Sequence, residues 1–148
     1  MATKKKGTPP GSHEKAKRGT PAPGKIDVES QQAEARKLAL TIANVALEHK
    51  ALNVEIIDVR GKVDYSDYVI VMSGRSDRQV TALARNIEDA MQRDHGARCS
   101  SVEGMPNGTW LLMDYGDVIV HIFHEDTRGY YDLETLWIDA ARVSAADS

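Results

Sequence analysis

Two pairs of side chains in this 148-residue chain have the types that hold metal ions or move protons: Asp114 with Asp117, and His121 with His124. Paired carboxylates can bridge a metal to phosphate, and imidazole serves as metal ligand or general base near neutral pH. The spacing argues against both. Asp114 and Asp117 stand three apart around Tyr115-Gly116, where paired acids are ordinarily solvated turn residues. His121 and His124 lie three apart on an apolar strand, so they point to opposite faces and cannot share an ion by local geometry. Asp64 and Asp67 flank a loop with no third ligand in reach by sequence. Gly74-Arg75-Ser76 precedes a helix N-terminus, a place where phosphates bind, but lacks the Gly density and Lys of a P-loop. Cys99 is alone, which excludes an internal disulfide and a Cys-pair zinc site, and no motif around it makes a nucleophile. No catalytic group, metal or cofactor is expected.

The elements around these residues can be read from periodicity. Leu38, Ile42, Val45, Ala46 and His49 repeat at helical spacing and predict a helix over 30–50. Val54 to Val59 is β-branched and reads as a strand. Tyr68-Val69-Ile70-Val71-Met72 is continuously apolar, the pattern of a central strand buried on both faces. Ser76 and Gln79 form a capping box for a second helix, whose stripe is Val80, Leu83, Ala84, Ile87 and Met91 and whose stop is Gly96. A weak strand at 98–102, a loop at 104–108, strands at 110–114 and 117–123, and a last helix at 132–141 follow. That last helix carries Leu133, Leu136, Trp137 and Ala140 as its apolar positions.

Taking Tyr115-Gly116 as a two-residue hairpin loop pairs Asp114 with Asp117, Leu112 with Ile119 and Trp110 with His121. Strand alternation then places Trp110, Leu112, Asp114, Asp117, Ile119, His121 and Phe123 on one face. Leu111, Met113, Val118, Val120 and Ile122 fill the other, which is wholly apolar and must be core. The mixed face reads either as ordinary sheet packing with polar ends or as a docking surface, since aromatic anchors with a charged rim are what protein interfaces use. A hairpin beside a helical crossover gives an α/β fold: one compact domain, a mixed β-sheet and flanking helices.

Composition narrows the class. Apolar residues make up 41% and charged residues 28%, ordinary for a soluble globular protein of one domain. No apolar run is long enough to span a membrane, so a cytoplasmic protein is expected. The net charge of −3 hides an asymmetry. Residues 1–25 hold seven Lys and Arg, one Glu and four of the five prolines; the remainder holds twelve basic and twenty-one acidic residues. The basic segment, with no aromatic residue, cannot bury enough apolar area to offset its ordering entropy. A disordered tail is expected over 1–29, a folded domain over 30–143 and a disordered end over 144–148. The tail is either a solvated extension or a weak, non-specific phosphate-contacting arm for RNA.

Three blocks in order resemble the ribosomal silencing factor (Iojap) family. The first is Asp67 to Gly74 with Ser76 and Val80. The second is Glu103-Gly104, Trp110, Asp114 and Gly116 to Phe123. The third is Arg128, Tyr131 and Leu133-Glu134-Thr135-Leu136-Trp137. The resemblance spans about 30–143 and leaves out the tail. Val69 stands where the family commonly has an aromatic residue, at a position that concerns packing.

The resemblance implies a nucleotidyltransferase-like topology without the catalytic residues, and a translational repressor rather than an enzyme. It implies binding to the large ribosomal subunit through its ribosomal protein fourteen. Joining of the small subunit would then be blocked sterically under nutrient limitation. By position, Trp110, Asp117, His121 and Tyr131 match the family's motifs. Trp110 is expected to anchor in an apolar pocket of the partner, with His121 and Tyr131 framing it and Asp114, Asp117 and Glu134 as the charged rim. An acidic body suits a ribosomal protein better than rRNA. The resemblance also leaves a homodimer open, which no heptad or isolated apolar stripe demonstrates. The competing class is a nucleotidyltransferase-like enzyme or nucleotide-binding protein using Gly74-Arg75-Ser76. It lacks the two acids alternating along one strand that would hold its metal.

Overall fold

The computed structural model describes residues 28–104 and 107–147. The basic segment expected to be disordered lies outside these residues up to position 27, as do two residues of the 104–108 loop. The chain runs α1 (Val28–Glu48), β1 (Leu52–Asp58), β2 (Tyr68–Gly74), α2 (Asp77–His95), β3 (Ser101–Gly104), β4 (Trp110–Asp114), β5 (Val118–His124), α3 (Glu125–Tyr131), a 3-10 helix (Leu133–Trp137), β6 (Arg142–Val143) and a 3-10 turn (Ala145–Asp147). Six strands form one mixed sheet in the order β3-β4-β5-β2-β1-β6. Only β2 and β5 pair in parallel, as the α2 crossover between them requires.

Local chemistry explains the two long helices. Ser76 Oγ accepts from the Gln79 amide at 3.1 Å, and Gln79 Oε1 accepts from the Arg75 amide at 2.7 Å, which closes the start of α2. Gly96 ends the helix at φ +64, a left-handed cap in which a side chain would be strained. Helices α1 and α2 cover one face of the sheet. Ala39, Ile42, Ala46, Leu83, Ile87 and Met91 there meet Ile56, Ile70, Met72, Met113, Val120 and Ile122. The wholly apolar face expected for the hairpin belongs to this core, and β2 is buried along its whole length.

The opposite face has a smaller core built of Ile57, Val59, Val69, Val71, Trp110, Phe123, Leu133, Trp137 and Ala140. Its cover departs from expectation. In place of one helix over 132–141 the chain forms α3 and a separate 3-10 helix, joined at Asp132 in a left-handed conformation (φ +49). Leu133 and Trp137 are buried there, and Leu136 is 67% exposed. No residue of α3 is buried, so it left no apolar stripe to read. Of the expected C-terminal segment over 144–148, residue 148 lies outside the described residues. Strand β6 pairs with β1, and Ala145 in the following turn packs against the α1–α2 core and accepts from Asn44 Nδ2 at 3.3 Å. Residues 28 and 29, counted with the tail in the sequence reading, are the first of α1.

The hairpin register shifts as well. Trp110 pairs with Phe123, Leu112 with His121 and Asp114 with Ile119. Tyr115 donates to the Val118 carbonyl at 2.9 Å, so the two-residue loop is Gly116-Asp117. Gly116, at φ +87, takes the first central position, where a II′ turn calls for glycine. Each partner moves by two residues, an even slip that keeps every side chain on its expected face apart from Asp117, now in the loop.

Candidate functional site

Three rings pack together, tilted to one another, through the cover of the smaller core. Trp110, at the start of β4, lies 4.8 Å from Phe123 on β5 and 4.7 Å from Tyr131 at the end of α3, centroid to centroid. Its indole Nε1 donates to His121 Nδ1 at 3.1 Å. An accepting Nδ1 leaves the proton of a neutral imidazole on Nε2. Burial pushes the His121 imidazolium down to about 3, so the ring is neutral at any physiological pH. The pair is therefore a satisfied polar contact inside an aromatic cluster.

Trp110, expected to anchor in a partner, is 8% exposed in the chain alone. Its ring is engaged by Phe123, His121 and Tyr131 and forms the support on which Tyr131 rests. Tyr131 itself is half-buried, and the Tyr130 ring stands edge-on to it at 5.0 Å. Asp114 is buried at the other end of β4 from Trp110, about 13 Å along the strand. Its Oδ1 accepts from the Gly116 amide at 2.7 Å, which closes the turn. Asp117 is half-buried in that turn. Its carbonyl accepts from the amides of Asp67 and Tyr68 at 2.9 and 3.1 Å and from Ser66 Oγ at 2.9 Å, tying the hairpin to β2. The structure thus brings Trp110, His121 and Tyr131 together and leaves Asp114 and Asp117 at a separate corner.

Glu134 joins the aromatic side through Arg128, a residue to which the sequence reading gave no role. Arg128 Nε and Nη2 each meet Glu134 Oε2 at 2.8 Å. Its Nη1 donates to the Asn53 carbonyl at 2.7 Å and to Ser73 Oγ at 3.0 Å. Asn53 sits in a β-bulge of β1 at φ +49, which leaves its carbonyl outside the ladder with β2. One guanidinium therefore fastens α3 and the 3-10 helix to two strands. No local signal could have found it, since its strand partners lie 75 and 55 residues away.

Outside this cluster three apolar side chains face solvent. Tyr130, Leu136 and Ile138 are 81%, 67% and 76% exposed. The same stretch is acidic: residues 125–139 hold Glu125, Asp126, Asp132, Glu134 and Asp139 against the single base Arg128. Apolar groups within a charged rim have the anatomy of a protein-docking surface. At Gly74-Arg75-Ser76, by contrast, the side chains of Ser76 and Gln79 are occupied in capping α2. Among the described residues no three His, Cys, Asp or Glu side chains gather where they could hold a metal ion. Cys99 is half-buried, its Sγ donating to the Ser101 carbonyl at 3.2 Å, and burial pushes the thiol up to about 11. No helix among the described residues is long and apolar enough to cross a membrane.

Comparison with known proteins agrees with this frame. Residues 32–148 match the family model described as "Ribosomal silencing factor during starvation". The ribosomal silencing factor of Bacillus subtilis is 42% identical over 106 residues, covering 71% of this chain and 89% of the relative. That of Zymomonas mobilis is 34% identical over 117 residues, covering 79% and 87%. The chain is also similar to a crystal structure of a protein from Bacillus halodurans, with a TM-score of 0.63, 33% identity and coverage of 74% of this chain and 98% of that one. The three sequence blocks, the mixed sheet they build and these matches converge: the chain belongs to the ribosomal silencing factor family.

Proposed function

We propose that this protein is a translational repressor that binds the large ribosomal subunit through ribosomal protein fourteen and sterically blocks joining of the small subunit when nutrients are short. Family membership supports a ribosome-associated silencing role. The observation that carries the docking face is the Trp110-supported Tyr131 beside exposed Tyr130, Leu136 and Ile138. Steric occlusion needs a surface of this kind and no catalytic group. In this reading Tyr131 and its exposed neighbours make the contact, Trp110 and His121 hold it rigid, and Glu134 with the nearby acids faces basic groups of the partner. Asp114 and Asp117 extend the acidic rim at the hairpin end. The basic tail adds a weak contact to rRNA. The protein acts in the cytoplasm, without a cofactor.

Sedimentation with separated ribosomal subunits, followed by a subunit-joining assay, tests the proposal. Co-sedimentation with large subunits alone, together with fewer joined ribosomes, is expected. Equal binding to both subunits that vanishes with added salt would reduce the interaction to non-specific attraction of the basic tail. A variant lacking residues 1–25 should keep most of its binding.

A further inference from the structure

The turn between β3 and β4 holds a reactive pair that the docking surface does not use. Asn107 is exposed and precedes Gly108. Its Oδ1 accepts from the Thr109 amide at 3.2 Å and from Thr109 Oγ1 at 2.9 Å. These bonds fold the carboxamide back along its own main chain, an Asx turn that directs Cγ toward the Gly108 peptide. None of the described residues accepts from the Gly108 amide. With no side chain, Gly108 also leaves its nitrogen open to approach.

Two donors on Oδ1 draw charge from Cγ and would hold the oxyanion formed when a nucleophile adds there. The chain supplies that nucleophile in the next peptide nitrogen, which closes a five-membered ring without any second molecule to bring in. The other three asparagines lack these conditions. Asn44, Asn53 and Asn86 are followed by Val45, Val54 and Ile87, whose branched side chains crowd the nitrogen. Asn44 and Asn86 lie inside α1 and α2, where helical hydrogen bonds engage the following amide. The peptide after Asn53 is held by Arg128 Nη1 through its carbonyl at 2.7 Å.

We propose that Asn107 is a site of spontaneous modification in the folded protein, converted to an aspartyl or isoaspartyl residue. The Gly108 nitrogen loses its proton and attacks Cγ, forming an N–Cγ bond. The Cγ–Nδ2 bond breaks, and Nδ2 takes up a proton and leaves as ammonia. Water then adds to the imide and opens one of its two carbonyl–nitrogen bonds. Opening at Cγ restores the ordinary main chain with a carboxylate side chain. Opening at the main-chain carbonyl routes the backbone through Cγ and lengthens it by one atom. Solvent water is the co-reactant, and no oxidation or reduction occurs. The longer form would strain the entry to β4, where the Thr109 carbonyl accepts from the His124 amide at 2.9 Å and Trp110 follows directly. The reaction does not depend on ribosome binding.

Peptide mass spectrometry of the full chain, kept folded in buffer over weeks, tests this. Conversion at Asn107 should exceed that at Asn44, Asn53 and Asn86 by about tenfold or more. It should quicken as pH rises, because the attacking nitrogen must lose its proton. A protein isoaspartyl methyltransferase with a labelled methyl donor should mark the aged protein at this position. Thr109→Val, which removes one donor to Oδ1, should slow conversion several-fold. Asn107→Gln, which would have to close a larger ring, should abolish the mark. Conversion no faster than at the other three asparagines would overturn the proposal. So would conversion that appears only in urea, since the folded turn would then protect Asn107.

Discussion

The Trp110 indole donates to His121 Nδ1 at 3.1 Å across the β4–β5 ladder, and both residues are under 10% exposed. Indole has one donor and no acceptor, so a buried tryptophan needs an acceptor that is itself content in an apolar site. Neutral imidazole meets that need and an imidazolium does not. The bond needs the neutral ring, and burial is what keeps His121 neutral.

Stability therefore depends on pH in a particular window. The folded pKa of His121 is depressed to about 3 from the ordinary 6.5. Below pH 6.5 the unfolded chain takes up a proton that the folded chain refuses, so this contribution is fully present above pH 6.5. It is lost as pH falls from there toward 3, by about 1.4 kcal/mol per unit. Urea unfolding at pH 7.5 and 5.5 should show a loss of about 1.4 kcal/mol in the wild type. His121→Asn, which keeps an acceptor for the indole and cannot titrate, should lose much less over the same interval. Equal slopes in both proteins would disprove the assignment.

Burial also sets what truncating Trp110 should cost. Trp110→Ala removes the ring that Phe123 and Tyr131 pack on and should cost about 3–5 kcal/mol in chemical denaturation. Trp110→Phe keeps most of the packing but removes the donor to His121, and the unsatisfied Nδ1 should cost about 1–3 kcal/mol. A truncation that leaves stability within about 0.5 kcal/mol would show that Trp110 is not a support of this core.

Much of this arrangement was legible in the sequence where it follows from local periodicity. The unbroken run from Tyr68 to Met72 marked β2 as central, and the Ser76–Gln79 and Gly96 signals bracketed α2. The two faces of β4 and β5 were assigned correctly although the register was not. Side-chain parity survives a slip of two, so no hydrophobic pattern distinguishes Tyr115-Gly116 from Gly116-Asp117 as the loop. Helix α3 stayed hidden because it buries nothing and its N-cap is His124, whose Nδ1 accepts from the Asp126 amide at 3.1 Å. Leu136 shares the apolar spacing of Leu133 and Trp137 but faces solvent, and spacing alone does not say which apolar positions the sheet covers. The Arg128 clasp is wholly tertiary.

That clasp predicts a localised effect. Arg128 and Glu134 side chains are 11% and 20% exposed, so the pair is largely shielded, and Asn53 and Ser73 depend on the same guanidinium. Arg128→Met should lower global stability by about 2–3 kcal/mol, because it leaves a shielded carboxylate and a strand carbonyl without their donor. Hydrogen exchange should accelerate most at residues 125–137 and least in α1. Adding Glu134→Gln, which removes the orphaned charge, should recover part of the loss. Uniform acceleration across both cores would show that Arg128 serves the whole fold rather than the α3 cover.

The exposed residues separate binding from folding. Tyr130, Leu136 and Ile138 have most of their surface in solvent, and replacing such side chains ordinarily changes stability by no more than about 0.5 kcal/mol. If they and Tyr131 form the contact with the large subunit, Tyr130→Ser with Leu136→Ser should reduce subunit binding at least tenfold, about 1.4 kcal/mol, while melting stays unchanged. Charge should act through the encounter rate: Asp132→Asn with Asp139→Asn should slow association and weaken its salt dependence, with little effect on dissociation. Full binding by both double variants would place the docking surface elsewhere on the body. Loss with Asp114→Asn and Asp117→Asn instead would shift it to the hairpin corner.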